Sequence, residues 1–230
     1  MMRSTAFLVA LTLCAVAGGA SGQPAQPLQV VELFTSQGCS SCPPADAAVA
    51  EIAARPQVLA LSFGVTYWDD LGWKDTFAQA KFTDRQWDYA RGLRHDNVGT
   101  PQVVVNGRTD VVGQSVGEID AALRRAALPA GGAQVSLAAG KVAIDGASPV
   151  RPATVWLVRY DPNVEQVPIR RGENGGKTLA IKHAVRELTR LGDWTGGAKS
   201  FALPAGPAGL KTAVLLQAGP GGPILAAAKS

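Results

Sequence analysis

Two cysteines separated by two residues constrain this chain more than any other feature of its sequence. They are Cys39 and Cys42, in the stretch Cys39-Ser-Ser-Cys42, and the third cysteine, Cys14, lies inside a predicted secretion signal. The spacing suits a disulfide that opens and closes. Once the signal is removed, the chain retains no further thiol with which to form a separate structural bridge.

The beginning of the chain is typical of a signal peptide. Arg3 supplies a positive charge, residues 6–17 form a mostly apolar run of twelve residues, and residues 20–22 are small, as cleavage requires. Crossing a bilayer takes about 20 apolar residues, which is more than this run provides. We therefore predict a signal peptide at 1–22 and a periplasmic or secreted protein without a membrane span after cleavage. The alternative is a retained anchor or a buried helix.

Charge and its distribution exclude one class of partner. The chain has a net charge of +4, and its 22 lysines and arginines are scattered rather than clustered. A nucleic-acid-binding surface would show a basic patch or stripe. We therefore expect no nucleic-acid partner.

Residues 27–128 begin with a strand, a helix and a second strand. The apolar run at 28–34 predicts a buried strand, the alanine-rich run at 43–55 predicts a helix, and the apolar run at 57–65 predicts another strand. Two parallel strands joined by a helix make a βαβ unit, whose crossover is nearly always right-handed. The cysteine pair falls between the first strand and this helix.

The rest of this region predicts an insert and then two strands and a helix. The insert at 66–97 holds an aromatic loop and a helix that a capping box at Thr83 is expected to open. The turn Asn106-Gly107 is a strong hairpin signal and joins two short strands. A second capping box, at Ser115, predicts the final helix.

The pattern changes after residue 128. Residues 129–132 are typical of a linker, and 133–230 contain short apolar runs that glycine-rich turns separate. Short strands with turns at this spacing indicate a β-sandwich. We therefore predict an α/β domain at 27–128 and a small all-β, sandwich-like domain at 133–230.

The cysteine pair has the chemistry of thiol–disulfide exchange. The nucleophile is a thiolate, and a helix N-terminus favours it through unpaired N–H groups and a partial positive charge. We expect Cys39 to attack and Cys42 to resolve the mixed disulfide. A residue before proline is pushed out of the α region, so Pro43 predicts a helix that begins at Pro43 or Pro44, with Cys42 outside it.

The Thr100-Pro101 step strengthens this interpretation. A proline that enters a strand after a loop can hold a cis peptide bond. In thioredoxin-like folds such a proline faces the cysteine pair, and the residue before it pairs with an extended substrate. The alternative is an ordinary trans proline at the first residue of a strand. Together with the strand and helix order, Thr100 and Pro101 predict a thioredoxin-like fold.

Several stretches resemble one family, the secreted, thioredoxin-like family of unknown function numbered twelve twenty-three. The resemblance covers nearly all of the mature chain, and it implies an exported protein with no settled substrate. In this family a histidine often stands where this chain has Gly64, which puts any histidine-dependent chemistry in doubt here. The matching stretches are Val31-Glu-Leu-Phe-Thr-Ser-Gln-Gly-Cys-Ser-Ser-Cys-Pro-Pro-Ala-Asp46, Tyr67-Trp-Asp69, Leu71-Gly-Trp-Lys-Asp75, Thr83-Asp-Arg-Gln86, Thr100-Pro-Gln102, Val105-Asn-Gly107 and Arg171-Gly-Glu-Asn174.

Other residues are candidates for supporting roles. Glu32, in the first strand, is a candidate acceptor for the proton of the resolving thiol, or else a glutamate that faces solvent or pairs with a lysine or arginine. Tyr67 and Trp68 are candidates to bind substrate, or else they pack the insert onto the sheet. The resemblance adds Asn174 as a candidate substrate contact, within what is otherwise a hairpin loop.

The leading hypothesis is an exported thiol–disulfide oxidoreductase that acts on exported proteins or small-molecule thiols. It needs no cofactor or metal, but a separate redox partner must supply or remove electrons. One alternative is a copper(I)-binding or copper-delivering protein, since two thiolates suit Cu(I). The other is a non-catalytic adaptor in which the disulfide is structural.

Overall fold

A computed structural model describes residues 26–138 and 140–230 of the chain. Within these residues it contains three α-helices and thirteen β-strands in four small sheets. The predicted signal peptide at 1–22, with Cys14, lies outside the described residues. In the described part of the chain, no helix is long and apolar enough to cross a membrane.

The first sheet and its helices are built from the first half of the chain. Its strand order is β2-β1-β3-β4, with β1 parallel to β2 and antiparallel to β3. Three helices accompany the sheet, one of them in the predicted insert. The bounds are β1 (Gln29–Thr35), α1 (Pro43–Ile52), β2 (Val58–Gly64), α2 (Ala80–Leu93), β3 (Gln102–Val105), β4 (Thr109–Val111) and α3 (Val116–Arg125).

The two faces of this sheet bury different sets of side chains. Successive side chains of a strand point to opposite faces. Val31 and Leu33 of β1 therefore share one hydrophobic cluster with residues of α1 and α3. Val30 and Phe34 of β1 lie in a second cluster on the other face. This alternation decides which polar side chains of β1 can approach the start of α1.

The second half of the chain is all β-structure, as its short apolar runs predict. One sheet has the order β10-β7-β12-β13, a second β11-β6-β5, and β8 pairs with β9 alone. The first two of these sheets share a hydrophobic cluster around the buried Trp194. The bounds are β5 (Gln134–Ala138), β6 (Lys141–Asp145), β7 (Ala153–Tyr160), β8 (Val164–Pro168), β9 (Thr178–Lys182), β10 (Val185–Trp194), β11 (Lys199–Ala202), β12 (Lys211–Ala218) and β13 (Ile224–Lys229).

One predicted helix start differs from the structure, and one break between strands falls at a single residue. His183 has a left-handed φ of 53° between β9 and β10. The helix predicted to open at Thr83 begins at Ala80 instead. The Thr83 side chain contacts the loop before the helix instead. Its Oγ1 accepts a hydrogen bond from Thr66 N at 3.0 Å. At Ser115 the predicted cap is confirmed, because its hydroxyl accepts from Glu118 N at 3.3 Å.

The two halves of the chain share a hydrophobic cluster. Val30 and Phe34 from β1 belong to the same buried cluster as Val158, Tyr160 and Leu215 from β7 and β12. Strands β7 and β12 therefore pack on the sheet face opposite α1, whereas β9 contacts α1 itself. The division of the chain at 129–132 stays a prediction.

Candidate functional site

The cysteine pair lies where β1 ends and α1 begins, and it forms a disulfide. Cys39 and Cys42 are bonded to each other. Cys42 caps α1 and has helical angles, φ −77° and ψ −35°, contrary to the expectation from Pro43. Its carbonyl oxygen accepts hydrogen bonds from Ala45 N at 2.9 Å and from Asp46 N at 3.1 Å. These two bonds favour the helical angles that the following proline disfavours.

Both cysteines are fully buried, and a segment from the β-rich half covers them. Cys39 and Cys42 are each 0% exposed. Asn174 Nδ2 donates to Gln37 O at 3.1 Å and to Cys39 O at 2.9 Å. Ser40 N donates to Glu173 Oε2 at 3.1 Å. Residues 171–176, here called the covering segment, therefore bind the backbone of the cysteine loop.

The Thr100-Pro101 step lies against the cysteine pair, and its peptide bond is cis. Cys39 Sγ is 3.7 Å from Thr100 O, and Ser41 Oγ is 3.5 Å from the same oxygen. Trp68 Nε1 donates to Thr100 Oγ1 at 2.8 Å. This hydrogen bond joins the insert, which holds Trp68, to the Thr100 side chain. Thr100, Pro101 and Trp68, all predicted from the sequence, are therefore brought together beside Cys39.

An open groove of about 670 Å³ runs along the other side of this step. Ser41, Thr100 and Pro101 form the end of the groove that is nearest Cys39. His95 and Asp110, which form an ion pair at 3.0 Å when the histidine is protonated, lie farther along it. The groove therefore ends beside the buried disulfide, although neither cysteine lines it.

The remaining predicted substrate contacts, Tyr67 and Asn174, do not line this groove. Tyr67 is 38% exposed, and its hydroxyl donates to Gln86 Oε1 at 3.2 Å. Burial raises the pKa of Tyr67, against a lowering effect of hydrogen bonds with Gln86 and Thr100. Asn174 is 0% exposed, so in this arrangement it holds the cysteine loop rather than facing a substrate.

Glu32 is buried in an ion pair on the sheet face opposite α1. Arg85 Nε donates to Glu32 Oε1 at 2.7 Å, and the Tyr89 hydroxyl donates to Glu32 Oε2. Burial lowers the pKa of the Arg85 guanidinium, but the Glu32 carboxylate outweighs it and the net shift is upward. Glu32 shares its face with Phe34, whereas Leu33 faces α1. This placement argues against the predicted role of Glu32 as the proton acceptor for Cys42.

A different buried carboxyl group lies on the α1 side, and the sequence reasoning did not single it out. Asp46 follows Cys42 by one helical turn and is 5% exposed. Burial raises its pKa to about 7, against a lowering effect of the Thr35 hydroxyl, and Asp75 raises it further. The signal was available, because an acidic residue four positions after a cysteine lies on the same face of a predicted helix.

The loop of the insert is anchored below the cysteine loop by polar contacts. Gln37 N donates to Asp75 Oδ2 at 2.8 Å, and Trp73 Nε1 donates to Gln37 Oε1 at 3.0 Å. Burial raises the pKa of the Asp75 carboxyl, although backbone N–H donors at Gln37 and Phe77 lower it. These contacts hold the loop next to the buried face of α1.

The histidines and metal-ligating groups give no cluster near the cysteines. Among the described residues, no group of three or more His, Cys, Asp and Glu side chains could hold a metal ion. His183 Nδ1 lies 2.9 Å from Ala60 O, and burial lowers the pKa of its imidazole. At Gly64, a Cβ would lie 2.9 Å from Ala78 N, so the backbone leaves no room there for a side chain.

Comparisons with known proteins identify relatives along most of the chain. The profile of a family described as "Protein of unknown function (DUF1223)" matches residues 30–217. A crystal structure of protein AGR_C_4864 from Agrobacterium tumefaciens is 34% identical, with a TM-score of 0.72, covering 89% of this chain and 94% of that one. HBP35 of Porphyromonas gingivalis shares the fold at 15% identity, with a TM-score of 0.58, covering 89% of this chain and 75% of that one. No curated protein gives a significant match.

Proposed function

We propose a function for this chain from its site alone, because the chain belongs to the family described as "Protein of unknown function (DUF1223)" and that description assigns no activity. The proposed function is that of an exported thiol–disulfide oxidoreductase with a thioredoxin-like domain. Its substrates are exported proteins or small-molecule thiols, and a separate redox partner returns it to its starting state. The strand and helix order around β1, α1 and β3 supports the thioredoxin-like assignment.

One observation carries the proposal: the Cys39–Cys42 disulfide lies against the Thr100-Pro101 step at the end of an open groove. Cys39 Sγ is 3.7 Å from Thr100 O, and Thr100 lines the groove. A disulfide or thiol held in the groove would therefore approach Cys39 first. Cys42, at the start of α1, would act second and resolve the mixed disulfide.

The local electrostatics suit a thiolate at this position. The cysteine loop leads into the N-terminus of α1, where the helix macrodipole places a partial positive charge. Pro43 and Pro44 supply no N–H group there, so the stabilisation of a Cys39 thiolate by the helix is moderate. Cys39 N donates a hydrogen bond to Ser36 O at 3.1 Å, which holds the loop that precedes α1. A thiolate of lowered pKa is the attacking form in disulfide exchange.

The proposed reaction balances with the two cysteines and one substrate disulfide. The Cys39 thiolate attacks the substrate disulfide, forms a mixed disulfide and releases the first substrate thiolate. The Cys42 thiolate then attacks Cys39 Sγ and releases the second. Two electrons pass to the substrate, and the Cys39–Cys42 disulfide is formed. The same steps in reverse oxidise a dithiol substrate.

Trapping of the intermediate tests this proposal. In a Cys42→Ser variant, Cys39 can attack but nothing can resolve, so glutathione disulfide should leave a stable mixed disulfide on Cys39. The matched Cys39→Ser variant should form far less, because Cys42 lies behind it. Intact-mass spectrometry measures both adducts. A folded Cys42→Ser variant that forms no adduct while its unfolded form does would contradict the proposal.

One observation favours the second candidate, an adaptor with a structural disulfide. Both sulfur atoms belong to fully buried residues, and the covering segment binds the loop that holds them. Against this candidate, a disulfide between residues three apart closes a very short loop. Such a disulfide contributes little chain-entropy stabilisation. A Cys39→Ser, Cys42→Ser protein that retains full activity in the cell would support the adaptor.

A further inference from the structure

We propose that Asp46 takes the proton from the Cys42 thiol when the mixed disulfide is resolved. This inference deepens the proposed exchange function and rests on it. It assigns to a residue of α1 the role that the sequence analysis gave to Glu32.

The geometry of α1 brings Cys42 and Asp46 together. Cys42 and Asp46 are four residues apart, and Asp46 N donates to Cys42 O at 3.1 Å in the first turn. Because Cys42 already has helical angles, the two side chains lie on the same helix face, with Cβ atoms about 5–6 Å apart. They are 0% and 5% exposed, so bulk water has little access to either. A proton that leaves Cys42 therefore needs a nearby acceptor within the protein.

The Asp46 carboxyl has few hydrogen bonds that would hold it ionised. The Thr35 hydroxyl is the side-chain hydrogen-bond partner that acts on it, and among the described residues Asp46 Oδ1 and Thr35 Oγ1 make no hydrogen bond of ordinary geometry. Glu32, by contrast, accepts hydrogen bonds from Arg85 and Tyr89. A weakly paired buried carboxyl suits a group that alternately holds and releases a proton.

The charge around the Asp46 carboxyl favours its neutral form. Asp75, from the loop of the insert, is the charged group that acts on it, and Thr35 faces it from β1. Lys182, on the neighbouring β9, donates its Nζ to Pro162 O instead. Burial and the Asp75 charge raise the pKa of Asp46 to about 7, against the lowering effect of the Thr35 hydroxyl. Near neutral pH the carboxyl is therefore present in both forms, as a proton acceptor and donor requires.

Protons and electrons balance in the resolving step. Before resolution, Cys39 is joined to the substrate sulfur, Cys42 is a thiol and Asp46 is a carboxylate. Asp46 takes the thiol proton, the Cys42 sulfur bonds to Cys39 Sγ, and the substrate leaves as a thiolate. Asp46 is then a neutral acid and returns its proton to solvent or to the departing thiolate.

The test separates the resolving step from the attacking step. Reduced wild-type and Asp46→Asn proteins are mixed with glutathione disulfide between pH 5 and pH 9, quenched with acid and analysed by intact-mass spectrometry. In Asp46→Asn we expect the mixed disulfide to form at the wild-type rate but to accumulate. Its resolution should be about 10²-fold slower, without the inflection near pH 7 that the wild type shows. Glu51→Gln, an exposed change on the same helix, should behave as wild type.

A second measurement does not depend on the variant. Carbon-13 NMR of the Asp46 carboxyl in reduced wild-type protein should give a pKa near 7. A value below 5, or an Asp46→Asn protein that resolves at the wild-type rate with the same pH profile, overturns the role of Asp46 and leaves the exchange function standing. A reduced wild-type protein that glutathione disulfide does not oxidise, together with a Cys42→Ser protein that forms no mixed disulfide, overturns both.

Discussion

At the scale of single residues, two buried carboxyl groups near the site lie on opposite faces of one sheet. Glu32 is held by Arg85 and Tyr89 on the face that packs against the β-rich half. Asp46 lies on the α1 side, next to Thr35. The alternation of side chains along β1 separates them, so that only Asp46 shares a helix face with Cys42.

The raised pKa of Asp46 predicts a pH-dependent cost to stability. The pKa of this carboxyl is about 7 in the folded chain and 3.8 when unperturbed, so the folded state binds the proton more tightly. The contribution of the neutral acid is fully present below pH 3.8 and is lost as the pH rises through 7. An Asp46→Asn protein has no such loss. Its stability relative to wild type should rise between pH 4 and pH 8.5, by about 4 kcal/mol at most.

Urea unfolding with the disulfide intact, at several pH values between these limits, measures this difference. Glu51→Gln serves as the control, because its side chain is exposed and its stability difference from wild type should not vary with pH. A constant difference between Asp46→Asn and wild type across the range would show that Asp46 does not titrate as described.

At the scale of elements, the covering segment holds the cysteine loop in place. Residues 171–176 connect β8 to β9 and reach the cysteine loop through Glu173 and Asn174. The Glu173 carboxylate places a negative charge beside Ser40, between the two cysteines. Hydrogen bonds from the Ser40 side chain and backbone lower the pKa of that carboxyl, so it is ionised at neutral pH.

Removal of this charge should make the cysteines more reactive. In Glu173→Gln, the bond to Ser40 N weakens and the repulsion of a Cys39 thiolate disappears. We expect the disulfide to be reduced several-fold faster by dithiothreitol, as followed by thiol labelling under native conditions. Glu165→Gln, which changes a carboxylate in the neighbouring strand β8, is the matched control. An unchanged rate in Glu173→Gln would mean that the covering segment does not limit access.

At the scale of the whole molecule, the helices and strands of the first half of the chain could be predicted from neighbouring residues. The contacts that surround the cysteine pair could be predicted less well. The cysteine pair between β1 and α1, the Asn106-Gly107 turn and the Ser115 cap follow from residues close together in sequence. The helix start at Thr83 was wrong, because a contact with Thr66 competes for that side chain.

The covering segment was beyond such reasoning for a physical reason. Asn174 and Cys39 are 135 residues apart, and their contact depends on how the β-rich half packs against the first sheet. The sequence indicated a loop at 171–176 but not what that loop would cover. The burial of the disulfide is therefore a property of the complete chain rather than of the first half alone.

The reduction potential of Cys39–Cys42 tests the central claim most directly. Thiol trapping and mass spectrometry across glutathione buffers of graded potential would measure it on the folded protein. The exchange function predicts a midpoint between about −120 and −270 mV, the range of known thiol–disulfide exchangers. A disulfide that remains closed below about −300 mV would behave as a structural bridge and would contradict the account.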